Sequence, residues 1–311
     1  ESRIVPAQGF VLETIDFSGV RGKGLKTLAL LPWRLARAFW QARQVVRRVR
    51  PDVVVGLGGY ISFPGGAMAR LAGVPLVLHE QNSVAGLANK VLARIASRVF
   101  TAFPGALGQG AWVGNPLRVA FTTQLDPAQR FAGRSGPLKL LVVGGSLGAK
   151  ALNDIVPQAL ALLPPELRPQ VRHQSGAKQI DALRANYAAA GIDADLTPFI
   201  DDTAQAYAEA DLIVCRAGAS TVTEIAAVGA AALFVPFPFA VDDHQTANAR
   251  FLVDQGGGWL IQQRELTPEK LAHMLQNTSR AALLERAQHA KSMQKLHATA
   301  DVVAACEALT S

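Results

Sequence analysis

Cysteine is nearly absent from this 311-residue chain: Cys215 and Cys306 stand far apart, without metal-ligand spacing. That excludes a disulfide framework and points to a reducing compartment. No His/Cys/carboxylate cluster has the spacing of a metal site. Long apolar runs are missing too. The longest, Gly229 to Val241, is broken by Pro236 and Pro238 and falls short of the roughly 18 residues a membrane span needs. No signal-peptide pattern opens the sequence, and no methionine precedes Glu1–Pro6, so residues upstream are expected. Acid is absent from one stretch: between Asp16 and Asp52 there are nine Lys/Arg and no Asp or Glu.

What is present suits an α/β protein of two domains, 50% hydrophobic and 18% charged. The net charge of +7 is uneven. Residues 1–115 hold 14 Lys/Arg against 5 Asp/Glu, and the remainder 17 against 19. An anionic surface is therefore the expected partner of the first half. Within it a helix from Lys26 to Arg50 places Leu31, Leu35, Phe39, Ala42, Val46 and Val49 on one side. Trp33, Arg37, Trp40, Gln44 and Arg47 fall opposite. Tryptophans among arginines suit a lipid headgroup layer; packing of Trp33 and Trp40 on a neighbouring element is the alternative. No nucleic-acid motif accompanies the basic stretch.

Alternation of strands and helices implies parallel sheets. In the first half, strands are expected at Asp52–Leu57, Pro75–Leu78 and Val99–Phe103, with short ones near Val11–Phe17 after which Gly19, Gly22 and Gly24 turn the chain. The clusters Gly58–Tyr60 and His79–Asn82 then lie at carboxyl ends of strands, the working edge. Residues 104–137, rich in Gly and Pro, read as a linker. A second alternation follows, with strands at Leu138–Val143, Val171–His173, Leu196–Ile200, Leu212–Cys215 and Ala232–Val235, and a helical end.

The most informative stretch is ADLIVCRAGASTVTEIAAVG, Ala210 to Gly229. It reads as strand, turn and helix, with Thr221 to Glu224 as a capping box. Free N–H groups at such a helix start bind phosphorylated ligands. Glu224 either accepts from a ribose diol or only closes the box. The turn Gly144–Gly148 is of the same kind. A dinucleotide site would carry an acid at the end of the next strand, where His173-Gln174-Ser175-Gly176 stands, which weakens a nicotinamide-dependent oxidoreductase. Asp193 and Asp195 resemble a metal pair but lie at the wrong edge. Phe199 and Ile200 lie at the right edge, for a flat base or for core packing. Asp242 or Asp243 is an N-cap or a ligand, and Gln245 offers a donor and an acceptor to sugar hydroxyls. Arg118 either meets a diphosphate or makes a surface pair.

Seven motifs stand in order: Gly58-Gly59-Tyr60, LHEQN at 78–82, VGNPLR at 113–118, VVGGSLGA at 142–149, FIDD at 199–202, CRAGASTVTEIA at 215–226 and DDHQTANA at 242–249. Together they resemble the MurG family of bacterial transferases, which move N-acetylglucosamine (GlcNAc) from UDP-GlcNAc onto undecaprenyl-linked muramyl-pentapeptide. The resemblance implies a GT-B fold, two doubly wound domains facing a cleft. Residues 1–118 with about 297–311 would form the acceptor and membrane-facing domain, and 119–296 the UDP-GlcNAc domain. It implies Ile200 and Phe199 at the uracil and Glu224 at the ribose. Ser146, Arg118 and the turn Ala219, Ser220, Thr221, Val222, Thr223 would surround the diphosphate, with Asn82 and Gln245 at the GlcNAc. Gly58, Gly59, Tyr60, His79 and Glu80 fall on the acceptor side. Inverting transfer without metal or other cofactor, a place on the cytoplasmic face of the inner membrane, and cell-wall synthesis and division proteins as partners follow from the same likeness.

The family opens with a glycine loop whose histidine is a proposed base. This chain begins downstream of it, so part of the acceptor domain is expected to be missing and the chain alone to transfer weakly or not at all. Glu80 and His79 are substitutes for that base. A UDP-GlcNAc epimerase-like enzyme and a non-catalytic nucleotide-sugar binder are the rival readings.

Overall fold

The computed structural model describes Ser2 and residues 4–17, 30–145 and 148–310. The glycine turn at Gly19, Gly22 and Gly24, the helix start at Lys26, and Ser146 lie outside the described residues. Two compact units emerge. One runs from the start of the chain to Gln81, from Ala85 to Trp112 and from Ala300 onward; the other comprises Asn82–Val84 and Val113–Thr299.

The first unit holds four parallel strands, β1 (Val54–Gly56), β2 (Leu76–Glu80), β3 (Arg98–Thr101) and β4 (Ala111–Trp112), in that spatial order. Its core gathers Leu76, Leu78, Leu92 and Leu107, with Phe63 and Val99 packed against them. Each such side chain removed from water contributes about 1.5–3 kcal/mol. The helix Leu31–Val49 carries Pro32 in its first turn, where a missing N–H leaves no bond unmade, so the proline starts the helix without kinking it. Ala38 and Ala42 are its buried positions, while Val49, expected in the core stripe, is exposed. Phe39 meets Phe63 of the helix Ser62–Leu71 edge-on at 5.7 Å.

Three expectations change here. Residues 11–17 form no strand. β2 runs through Glu80, pairing His79 with Phe100 and Glu80 with Thr101, so both polar residues sit inside the sheet, beyond the reach of hydrophobicity as a guide. The stretch 104–137 is no plain linker. It contains β4 and the helices Val119–Thr122 and Pro127–Phe131, which Phe121 and Phe131 anchor by burial.

The second unit holds six parallel strands: β5 (Lys139–Val143), β6 (Gln170–Gln174), β7 (Asp195–Thr197), β8 (Leu212–Cys215), β9 (Ala232–Phe234) and β10 (Gly258–Leu260). Their order is β10-β9-β8-β5-β6-β7. The chain winds outward through β6 and β7, then returns to the other side of β5. Ligands of open parallel sheets bind at such a reversal, beyond the carboxyl ends of β5 and β8. β10 has no sequence signal: it is three residues long and starts at Gly258, where a Cβ would stand 2.6 Å from the Ala232 carbonyl oxygen. β7 stops at Thr197, which leaves Phe199 and Ile200 in the following loop. Asp195 lies at the amino edge, paired with Arg172 at 3.1 Å.

Candidate active site

The helix Ala219–Val228 begins two residues earlier than the capping-box reading placed it. Gly218 is the N-cap, extended at φ −62° and ψ 148°, and no side chain caps the helix. The proposed Thr221–Glu224 box is therefore absent, because both residues are already helical. Val222 N–H is the first to find an intrahelical acceptor, the Gly218 carbonyl at 3.0 Å. The N–H groups of Ala219, Ser220 and Thr221 precede it and point along the helix axis, where an anion is favoured. Val222 and Thr223 offer less than their sequence position suggests. Val222 is fully buried, and the Thr223 hydroxyl donates back to the Ala219 and Ser220 carbonyls at 3.0 Å. Asn115 reaches the same hydroxyl at 3.4 Å.

Glu224 faces partly outward, with nothing to cap. Burial pushes its carboxyl up to about 7, against the pull of the Arg118 charge. The Arg118 guanidinium stands 4.9 Å over the Phe121 ring, and Phe121 meets Tyr207 edge-on at 5.9 Å. Tyr207 is buried beside Glu224 and hydrogen-bonded to Thr221; burial first, then the neighbouring Cys215 and Glu224, hold its hydroxyl un-ionised. Arg118 thus does more than make a surface ion pair: it lies close enough to act on Glu224.

Gln245 has its carbonyl oxygen committed, accepting Phe237 N–H at 2.9 Å and Ala217 N–H at 3.3 Å. Both partners are donors, which fixes the amide orientation and leaves Nε2 as the group a sugar hydroxyl could meet. Asn248, fully buried, ties the same neighbourhood together. Its amide donates to the Ala217 carbonyl at 3.2 Å and to Asn82 Oδ1 at 3.5 Å, while its oxygen accepts Ser83 N–H and hydroxyl at 2.9 and 2.7 Å. Asn82, Gln245 and the uncapped helix start therefore converge on Ala217. Asp242 and Asp243 both adopt left-handed backbone just before the helix His244–Val253, and the Asp243 carboxylate receives the Thr246 hydroxyl at 2.7 Å instead of capping N–H groups.

The glycine turn after β5 is sterically required. At Gly148, φ +75°, a Cβ would come within 1.9 Å of the Ser175 carbonyl oxygen, and at Gly144 within 2.5 Å of Ala149 nitrogen. Phe199 is 61% exposed at the same edge, whereas Ile200 is buried. Beneath lies His173, bonded to Tyr187 at 2.9 Å and Asn153 at 3.1 Å; burial drives its ring down to about 3, so it is neutral and structural.

In the first unit, Gly58 turns the chain at φ +84°, with Gln81 reaching back to the Leu57 carbonyl. Tyr60 is exposed and meets Phe17 at 5.8 Å. His79 is wholly buried, and Glu80 accepts the Asn89 amide at 2.7 Å. Neither is exposed to an acceptor sugar, which counts against both as substitute bases. Sequence reasoning missed Gln174, Asn248 and Arg216; the last donates to the Val235 and Pro236 carbonyls and to Gln263. Only their place at strand ends or within quoted motifs hinted at them.

The sequence profile of the glycosyltransferase family 28 C-terminal domain matches residues 139–304, and that of the family's N-terminal domain residues 1–101. The chain belongs to glycosyltransferase family 28. It is accordingly a glycosyltransferase, and its two parallel sheets are those of a GT-B fold. Within family 28 it is 79% identical to the UDP-N-acetylglucosamine--N-acetylmuramyl-(pentapeptide) pyrophosphoryl-undecaprenol N-acetylglucosamine transferase of Paracidovorax citrulli, over 100% of this chain and 88% of that one. A Ralstonia nicotianae protein of the same name is 61% identical, over 99% and 85%. The crystal structure of Acinetobacter baumannii MurG matches at a TM-score of 0.86 and 41% identity, covering 99% of this family 28 chain and 88% of its own. A UDP-N-acetylglucosamine 2-epimerase matches at 0.60 with 13% identity, over 91% of this chain and 78% of its own, a likeness of fold alone.

Proposed function

We propose that this family 28 enzyme transfers GlcNAc from UDP-GlcNAc to the 4-hydroxyl of undecaprenyl-pyrophosphoryl-linked muramyl-pentapeptide, the step that completes the lipid-linked disaccharide of peptidoglycan. The observation that carries this reading is 79% identity along the whole chain to a transferase of that name. The site geometry supports it. The free N–H groups of Ala219, Ser220 and Thr221, with Arg118, meet the diphosphate; Glu224 accepts from the ribose; Phe199 and the Ile200 backbone hold the uracil; Asn82 and the Gln245 amide meet the sugar. Ser146 joins the diphosphate set on the motif likeness alone.

In this reading the acceptor hydroxyl attacks the anomeric carbon as the bond from that carbon to the UDP oxygen breaks, inverting the centre, and the hydroxyl proton is given up to solvent water. The charge on departing UDP is met by the helix N-terminus and Arg118, donors already in place before the charge develops. The Trp33 and Trp40 face would lie on the cytoplasmic membrane leaflet. Both are exposed, at 62% and 59%. Arg37 contributes less there than its charge suggests, because Asp16 pairs with it at 2.9 Å; Arg47 is exposed. No described helix is long and apolar enough to cross a membrane. Calorimetric titration of the chain with UDP-GlcNAc and with NADH tests the donor assignment: saturable binding of the sugar nucleotide alone is expected, and NADH binding in its place would refute it.

A further inference from the structure

Gln174, the last residue of β6, is 3% exposed. Its register partners are Val143 on β5 and Thr197 on β7. From the middle strand its side chain reaches just past both neighbours. Nε2 donates to the Gly145 carbonyl at 3.1 Å and to the Pro198 carbonyl at 3.0 Å. Gly145 belongs to the phosphate-type turn, and Pro198 opens the loop that carries Phe199 and Ile200. Two acceptor partners allow only one orientation of the amide, and a glutamate here would set oxygen against oxygen. Oε1 is buried with no hydrogen-bond partner among the described residues.

We infer that Gln174 is a positioning residue which couples the phosphate turn to the base-binding loop, so that a nucleoside diphosphate is gripped at both ends by segments held at one fixed separation. The inference rests on the donor-site reading above. Fixing the two segments before the ligand arrives removes an ordering cost from binding. That gain goes to ligands occupying both segments and is small for a nucleoside or a pyrophosphate alone.

The test compares the 311-residue chain with Gln174→Met, which keeps the volume and removes the donors, and Gln174→Glu. UDP affinity is measured by calorimetry, uridine and inorganic pyrophosphate by ligand-detected NMR, and the unfolding midpoint alongside. UDP should weaken about tenfold in both variants, the worth of one to two neutral hydrogen bonds, and uridine less than about threefold. Unchanged UDP affinity, or equal losses for UDP and uridine, would overturn the coupling. Should the variants fail to fold, hydrogen exchange of the unaltered chain decides: uridine alone should slow exchange in residues 144–149, and pyrophosphate alone in residues 198–201. Protection confined to the segment each ligand touches would equally overturn it. If the unaltered chain binds no UDP, the donor-site reading itself fails.

Discussion

Asp211 and Lys139 are bonded twice at the amino edge of the second sheet. The Asp211 N–H donates to the Lys139 carbonyl at 2.8 Å, and the Asp211 carboxylate accepts the Lys139 N–H at 2.9 Å. Arg134 and Arg280 complete the carboxylate's shell at 2.6 and 3.1 Å. The acid that opens the strand before the nucleotide turn is thus a clamp on β5 and β8, at the edge opposite the site. Burial raises its pKa, but the Lys139 N–H and the two guanidiniums outweigh that and hold it below the usual value.

Replacing Asp211 with alanine leaves two cations facing backbone carbonyls and, for Arg134, the Phe131 ring. Breaking a buried pair of this kind costs about 3–5 kcal/mol. Because the folded pKa is depressed, the contribution is fully present above the unfolded carboxylate value near 3.9 and fades as pH falls through the folded one. Urea unfolding at pH 7 should show the full difference between the two proteins, shrinking below pH 4. A difference under about 1 kcal/mol at pH 7 would mean that the clamp does not stabilise the fold.

Glu224 carries the opposite sign. Its folded pKa, about 7, exceeds the unfolded value, so its relative contribution is complete below about pH 4 and is lost as pH rises through 7. Glu224→Gln should therefore flatten the decline in thermal stability between about pH 4.5 and 7. It should also weaken UDP-GlcNAc roughly tenfold or more, the value of a charge-assisted hydrogen bond to a hydroxyl. Calorimetry with Glu224→Ala is the companion measurement; full affinity in that variant would remove the carboxylate from the ribose.

Gly148→Ala combines a left-handed backbone with a clash against Ser175. A loss above about 2 kcal/mol is expected, because neither the strained φ nor the carbonyl contact can relax cheaply. Circular dichroism melting reads it, and UDP affinity should fall with it. A variant of unchanged melting temperature would show that the turn relocates freely.

Trp33→Ala/Trp40→Ala removes two exposed rings from the basic helix. Sedimentation with vesicles containing anionic lipid should show weaker retention of the double variant, and added salt should weaken both, since each basic residue near the surface contributes about 1 kcal/mol. Equal retention would move the membrane contact elsewhere.

Legibility varied along the chain for physical reasons. The run Leu212–Cys215 is legible to the residue, because a parallel strand buried on both faces must be continuously apolar. The pattern puts the start of the next helix two residues late, since S/T-x-x-E looks the same at a helix start and inside the first turn; the extended backbone of Gly218 settles which it is. β10 escaped notice because three residues beginning with glycine carry no period, and its place comes from the edge that β9 offers. The polarity of His79 and Glu80 suggests exposure at a strand end, whereas a ladder to β3 and the Asn89 amide let both be buried.

The order of motifs along the chain determined the family, the two parallel sheets and the use of a glycine turn and a helix start for an anionic ligand, because those depend on local backbone requirements that residue types announce. Tertiary structure alone decided which end of Gln245 is free, that Thr223 turns inward, that Asn248 gathers Asn82 to Ala217, and that Gln174 spans two strands. Each of those depends on which donor meets which acceptor across distant parts of the chain, and a side chain's partners are set by packing, not by its neighbours in sequence.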